Sequence, residues 1–290
     1  MLCEQLPLNI ITCITEASRH FHDSGLLEYE REAKLLVGHV VNRSQAELFL
    51  HGQDVLTPEQ EKTCRTLIEQ RCQRIPLHYL LGEREFWSLP FTVSPAVLIP
   101  RPETEFLLAR LIEKIRETHV EPITVLDLCT GSGVIAVVLS RELRCREIIA
   151  VDISADALKV ASENIKRHVR DSRIRLVASD LYEKIPERPT FDLIVSNPPY
   201  IADGDLCQLE KEVQREPLIA LKGGKEGLDI IARIIRQANR FLVSGGWLFL
   251  EIGAEQGGAV QALLCKAGYD DIAIVRDWAG RDRVAQARLS

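Results

Sequence analysis

The sequence has no CxxC pair, no surplus of positive charge, no internal repeat and no apolar run long enough to span a bilayer. Each absence excludes something. Lys and Arg number 36 against 42 Asp and Glu, for a formal net charge of -6. The basic excess that gripping a phosphate backbone usually leaves is therefore missing, and bulk composition does not support nucleic acid as a direct substrate. A membrane helix needs roughly 18 or more consecutive apolar residues, and no stretch approaches that. The start, Met1-Leu2-Cys3-Glu4, also lacks a basic region ahead of a long apolar core, so the expected location is cytoplasmic, with no membrane partner. The cysteines (Cys3, Cys13, Cys64, Cys72, Cys129, Cys145, Cys207 and Cys265) lie without metal-ligand spacing. They read as free thiols of a reducing compartment. The histidines are scattered, and no metal centre is expected.

What is present is an ordinary globular composition: 290 residues, 46% hydrophobic and 27% charged, enough for a large and a small domain. Residues 1–82 read as helices. Apolar residues recur at helical spacing in Ile10, Cys13, Ile14 and Ala17 and again from Ala33 to Val40; a short segment runs Ser44 to Leu50. Thr57-Pro58-Glu59-Gln60 opens a further helix with a threonine cap and a first-turn proline. Residues 83–100 change texture: Phe86, Trp87, Leu89, Phe91, Val93, Val97 and Leu98, interrupted by Pro90 and Pro95, predict a linking hairpin with a proline-marked turn. Residues 101–290 begin with a helix at Pro102 and then alternate strands with helices. The strand candidates are Ile123–Leu128, Glu147–Val151, Arg173–Ala178, Phe191–Ser196, Gly246–Glu251 and Asp271–Val275. Apolar strands with helical crossovers imply a mainly parallel sheet covered on both faces. Arg283 to Leu289 adds a candidate antiparallel strand at an edge. The long connection from Ala202 to Gly227, with a short helix near Leu206–Val213, reads as a substrate-side loop.

Two motifs carry chemistry. Asp127-Leu128-Cys129-Thr130-Gly131-Ser132-Gly133 ends one strand and turns into a helix, with glycines that permit close approach by a ligand and free amides facing the same space. Asp127 can accept from an ammonium group. Asp152, closing the next strand, can accept from both hydroxyls of a ribose, and Asp180 from an adenine amino group. This half by itself fits S-adenosyl-L-methionine, NAD or a purely structural turn. No Gly-Lys-Ser/Thr follows, which excludes a P-loop.

The second motif, Asn197-Pro198-Pro199-Tyr200, follows the strand Phe191–Ser196 and tips the balance. The lone pair of an amide or aromatic NH2 is delocalised and attacks poorly. Two acceptors aimed at its hydrogens, the Asn197 side-chain oxygen and the Pro198 carbonyl, orient it and favour charge developing on nitrogen. Pro198 and Pro199 stiffen the loop, and Tyr200 offers a flat face for a planar group. The combination points to methyl transfer from S-adenosyl-L-methionine to nitrogen. The competing readings are a rigid turn without chemistry, an adenine-N6 methyltransferase acting on DNA or RNA, and a non-catalytic binding protein built on the same scaffold.

Along nearly its whole length the chain resembles the release-factor glutamine methyltransferase family, the protein-(glutamine-N5) methyltransferases. The resemblance rests on Pro76–Glu83 with Phe86-Trp87, Pro100-Arg101-Pro102-Glu103-Thr104-Glu105, Asp127–Gly133, Val151–Ser154, Ser196–Tyr200, Glu216-Pro217 with Leu221–Gly227, Glu251-Ile252-Gly253 and Gly280–Arg283. It implies a class I adenosylmethionine-dependent methyltransferase fold, with a small helical domain and a β-hairpin linker ahead of a mainly parallel sheet that has a terminal antiparallel strand. It implies a helical domain that helps grip the substrate, the glutamine of the Gly-Gly-Gln motif of class I peptide-chain release factors. Catalysis would then fall to Asn197, Pro198 and Tyr200. Asp127, Thr130, Gly131, Gly133, Asp152, Asp180 and Asn197 would hold the cofactor. Asn197, Pro198, Pro199 and Tyr200, with Arg101 and Glu103 at the entrance, would hold the substrate; the last two also suit capping and packing the linker helix. The chain departs from the family pattern at Cys129, where glycine is usual, and at Trp278, where leucine is usual. Cys129 keeps the turn unstrained only with a negative φ.

Overall fold

The computed structural model describes residues 8–118, 120–171 and 173–290; the Met1–Glu4 start read above, Cys3 included, lies outside them. The described residues divide into two compact units.

One unit comprises residues up to Gly82 together with Lys211–Arg215. It holds five helices, α1 (Ile10–Asp23), α2 (Tyr29–Val41), α3 (Gln45–Leu50), α4 (Pro58–Cys72) and α5 (Leu77–Leu81). Their starts are written in local side chains. Asn9 accepts from the Thr12 amide at 2.8 Å, and Ser44 with Glu47 and Thr57 with Gln60 form reciprocal capping boxes. The helices bury one apolar cluster that includes Cys13, Ala17, Phe21, Leu36, Val37 and Cys64. Arg71, nearly fully buried, bridges Glu32 at 2.6 Å and Glu212 at 3.0 Å, which ties the 211–215 segment into this unit.

The other unit comprises Glu83–Glu210 and Glu216–Ser290. It opens with a hairpin, β1 (Glu83–Phe86) and β2 (Leu89–Thr92), followed by α6 (Pro102–Thr118). The expected proline-marked turn is corrected here: the turn is Trp87-Ser88, both at positive φ, while Pro90 sits inside β2 opposite Glu85. Tertiary contacts hold this turn. The Trp87 amide donates to Glu105 of α6 at 2.6 Å and its indole nitrogen to Glu142 at 3.0 Å.

Then come β3 (Ile123–Leu128), α7 (Val134–Glu142), β4 (Cys145–Asp152), α8 (Ala155–His168), β5 (Ile174–Ala178), β6 (Phe191–Ser196), α9 (Leu218–Leu221), α10 (Asp229–Ala238), β7 (Leu242–Glu251), α11 (Gly257–Lys266), β8 (Asp270–Arg276) and β9 (Asp282–Arg288). The connection after β6 carries two 3-10 turns, Leu206–Gln208 and Val213–Arg215, before α9. The seven-stranded sheet has the order β5-β4-β3-β6-β7-β9-β8. The β3–β4, β3–β6, β4–β5 and β6–β7 pairs are parallel, and β9 runs antiparallel to both its neighbours. The last strand is therefore antiparallel as expected but not at an edge: it inserts between β7 and β8, and β8 takes the edge.

Alternation along β3 builds the two faces. Val125 joins a cluster with α6 and α7, while Leu126 and Leu128 join α10 and α11 on the other side. All six β3 residues are buried, which is what a central parallel strand covered by helices requires. The carboxyl ends of β3, β4 and β6 thus converge at the edge of the sheet where the two motifs lie. No helix among the described residues is long and apolar enough to cross a membrane.

Candidate active site

A cavity of about 560 Å³ opens at those strand ends, within the sheet-containing unit. Its wall includes Arg101, Thr104, Cys129, Thr130, Gly131, Asp152, Asp180, Asn197 and Pro199. The two motifs, far apart in sequence, face one space.

The glycine-rich turn is built from the bottom up. Asp127 is fully buried beneath it, where its Oδ2 accepts from Thr130 Oγ1 at 2.6 Å. Its Oδ1 is buried without a hydrogen-bond partner. Burial, only partly offset by the Thr130 hydroxyl and the nearby Ala136 amide, pushes the Asp127 carboxyl up to about 7. Asp127 thus stands below the cavity wall rather than on it. Gly131 has φ 55, and Gly133 has φ 80 at the cap of α7, where an added Cβ would press on Ala161 of α8 at 3.2 Å. Cys129 has φ 59. The negative φ that would leave this side chain unstrained is not adopted. Burial pushes its thiol up to about 12, so it is no thiolate nucleophile.

Asp152 closes β4 with its carboxylate accepting from the Gly131 amide at 2.9 Å and the Ser154 amide at 2.9 Å. Burial raises its pKa against the pull of those amides. The fixed carboxylate joins the turn to the start of α8. Asp180, past β5, pairs with Arg233 of α10 at 2.8 Å.

The Asn197–Tyr200 loop is clamped from several sides. The Tyr200 carbonyl accepts from Gln256 Nε2 at 2.9 Å, and a Cβ on Gly227 would lie 2.2 Å from the same oxygen. The Ile201 amide bonds the Leu221 carbonyl at 3.0 Å. Beneath the loop runs a chain of side chains. Asn197 Nδ2 donates to Thr104 Oγ1 at 3.0 Å, Thr104 Oγ1 donates to Glu251 Oε2 at 2.7 Å, and Tyr200 OH donates to Glu251 Oε1 at 3.1 Å. Burial pushes the Glu251 carboxyl up to about 7. Burial, with the Glu251 charge beside it, holds the Tyr200 phenol well above its ordinary value.

Of the residues anticipated from sequence, Asn197, Pro199, Thr130, Gly131, Asp152, Asp180 and Arg101 are brought to the cavity wall. Pro198 and Tyr200 lie in the loop behind it. Glu103 lies off the wall, close enough to Glu251 for its charge to raise that carboxyl further. Arg101 is ion-paired with the buried Glu216, which also accepts from the Ile99 amide at 3.0 Å. Thr104, Glu251 and Arg233 went unassigned by sequence reasoning, although Thr104 and Glu251 both stand inside motifs that carry the family resemblance.

The fold is that of the class I methyltransferases. A methyltransferase from Pyrococcus furiosus superposes with a TM-score of 0.53 at 18% identity over 76% of this chain and 98% of that one. The T. thermophilus 16S rRNA N2 G1207 methyltransferase, in complex with AdoMet and guanosine, superposes with a TM-score of 0.51 at 20% identity over 72% and 50%. At such identities the likeness is one of fold alone. Sequence comparison is more specific: residues 12–82 match the PrmC N-terminal domain and residues 102–216 the methyltransferase small domain. The chain is 40% identical to the release factor glutamine methyltransferase of Escherichia coli (strain K12), over 89% of its own length and 91% of that protein. It is 42% identical to the one from Cereibacter sphaeroides, over 92% and 93%. The chain belongs to the release factor glutamine methyltransferase family.

Proposed function

We propose that the protein transfers the methyl group of S-adenosyl-L-methionine to the side-chain amide nitrogen (N5) of the glutamine in the Gly-Gly-Gln motif of class I peptide-chain release factors. The observation that carries this reading is that Gly131, Asp152 and Asp180 share one cavity with Asn197. The residues fit the cofactor. Asp152 offers a fixed carboxylate to the ribose hydroxyls, the turn at Thr130 and Gly131 lines the same space, and Asp180 stands on the wall with them. When bound, S-adenosyl-L-methionine supplies an electrophilic methyl on a sulfonium.

The chain's own contribution is orientation. Asn197 Oδ1 and the Pro198 carbonyl accept from the two hydrogens of the incoming amide, which fixes the nitrogen and stabilises the positive charge that grows on it. Pro198 and Pro199 keep those oxygens from moving away, and Tyr200 packs against the planar group. Once methylated, the nitrogen is acidic and sheds a proton to water, so no general base is required. Arg101 and Glu103 border the entrance, and the helical unit grips the release factor. The reaction belongs to the cytoplasm.

Intact-mass analysis of a purified class I release factor after incubation with the enzyme and cofactor tests the reading. One added methyl, mapped to the tripeptide glutamine and lost when that glutamine is changed to alanine, is expected. Label transferred to DNA or RNA instead of protein would overturn it in favour of an adenine methyltransferase. Absence of any cofactor binding by calorimetry would favour a non-catalytic binding protein.

A further inference from the structure

We propose that Thr104 and Glu251 are positioning residues that set the polarity of Asn197, committing its amide NH2 to the protein and its Oδ1 to the substrate. The inference rests on the reading above. An asparagine side chain is nearly symmetric in shape, and its two ends exchange on a half-turn of the terminal torsion. Only Oδ1 can accept from a substrate NH2; an Nδ2 in its place would present hydrogens to hydrogens. Asn197 therefore needs something that distinguishes its ends.

The chain beneath it does so in two steps. A carboxylate is an acceptor only, so Glu251 compels Thr104 to spend its single hydrogen on Oε2 at 2.7 Å. What Thr104 Oγ1 then shows Asn197 is a lone pair, which receives Nδ2 at 3.0 Å and would repel Oδ1. Among the described residues no other hydrogen bond engages the Asn197 side chain. Tyr200 is drawn into the same arrangement through Oε1 at 3.1 Å. Thr104 and Glu251 are both buried, so water does not compete for these contacts. The groups around the carboxylate are Thr104 and Glu103 from α6, Tyr200 from the loop and Arg283 from β9.

The test is a set of variants assayed on full-length release factor. Thr104→Val keeps the shape and removes the hydroxyl. It should lower kcat about 10- to 100-fold, the scale seen when a group that orients a primary ligand is removed, with the KM for release factor and the calorimetric cofactor affinity little changed. Thr104→Ser should restore most of kcat. In an Asn197→Ala background Thr104→Val should cost nothing further, because there is no amide left to orient. Glu251→Gln can still accept from Thr104 through Oε1, so it should hold most of its rate at pH 8. It should also flatten the fall in kcat expected of the wild type below about pH 7, where protonation of Glu251 would compete for the Thr104 oxygen. Full activity in Thr104→Val, or additive losses in the double variant, would overturn the proposal for Thr104. An acid limb unchanged in Glu251→Gln would overturn the part assigned to Glu251. A wild-type enzyme that leaves release factor unmodified would instead overturn the function itself, while active wild type with indifferent Thr104 variants would overturn only this inference.

Discussion

Cys129 offers a test of backbone strain that turns on a sign. Its φ of 59 lies in the left-handed region, where a side chain bearing a Cβ costs about 1–2 kcal/mol. Alanine at this position would lose the sulfur and keep the strain. Glycine would lose the sulfur and the strain but gain freedom in the unfolded chain, which costs about 0.5–1 kcal/mol. Cys129→Gly should therefore be more stable than Cys129→Ala by roughly 0.5–1 kcal/mol, the difference of those two terms. At a position with ordinary negative φ the order is reversed by a similar amount, since glycine then pays its entropy and relieves nothing. Equilibrium urea unfolding of the two variants, compared by midpoint at unchanged slope, reads the difference directly. The wild type should fall between or near them, because the half-buried thiol packs against the Leu126–Leu128 cluster and recovers part of the strain. An alanine variant as stable as the glycine variant, or more so, would refute the strained turn. Cofactor affinity should stay close to wild type in both, since each replacement only removes atoms from the cavity wall.

Three further outcomes follow from the same geometry. Gly227→Ala would place a Cβ 2.2 Å from the Tyr200 carbonyl oxygen at φ 72. It should displace the loop and lower kcat on the order of 10²-fold, as small misplacements of reacting groups do, measured by methyl incorporation into release factor. Asp127 is raised from 3.8 to about 7 by burial, so between those values the folded state holds a proton that the unfolded chain has released. Wild-type stability contributed by this group must then fall as pH rises through that window, by at most roughly 1.4 kcal/mol per unit, and Asp127→Asn should lack the slope. Unfolding midpoints of the two proteins at pH 5 and pH 8 should therefore shift in favour of the variant at the higher pH; parallel profiles would contradict the assignment. Cys207 and Cys265 are exposed, whereas burial pushes the Cys129 and Cys145 thiols up to about 12. Iodoacetamide at pH 8 with peptide mapping should label the first two rapidly and the last two only after denaturation.

Where local chemistry decides structure, the sequence was readable. The threonine cap and Pro58 mark the start of α4, and β3 and β6 appear at their observed bounds. The misreadings share a cause, which is that distant partners overrule local preference. Trp87-Ser88 carries none of the Asn-Gly chemistry of a two-residue turn, and its positive φ pair is held by Glu105 and Glu142. Arg283 to Leu289 reads as an antiparallel strand at an edge, and Asp271–Val275 as a strand with no stated place in the order. The sheet puts that strand inside and β8 at the edge: Val284, Ala285 and Ala287 are buried while β8 stays largely accessible. Small residues in β9 allow close packing on both faces, and coverage by α11 is not visible in the strand's own pattern.

For the site, the residue types were legible but the direction of its hydrogen bonds was not. Asn-Pro-Pro-Tyr announces two acceptors, yet which end of Asn197 faces the cavity is set by Thr104, 93 residues upstream, and by Glu251 at the end of a different strand. Neither shows a periodicity or spacing that signals the link. What marks them out is their burial. Glu251 is fully buried, and among the described residues it makes no direct ion pair; its partners are two hydroxyls, with Arg283 lending longer-range charge. An unpaired carboxylate inside a sheet costs stability that a leucine would not. A fold does not need such a residue, and a site that must tell the two ends of an amide apart does.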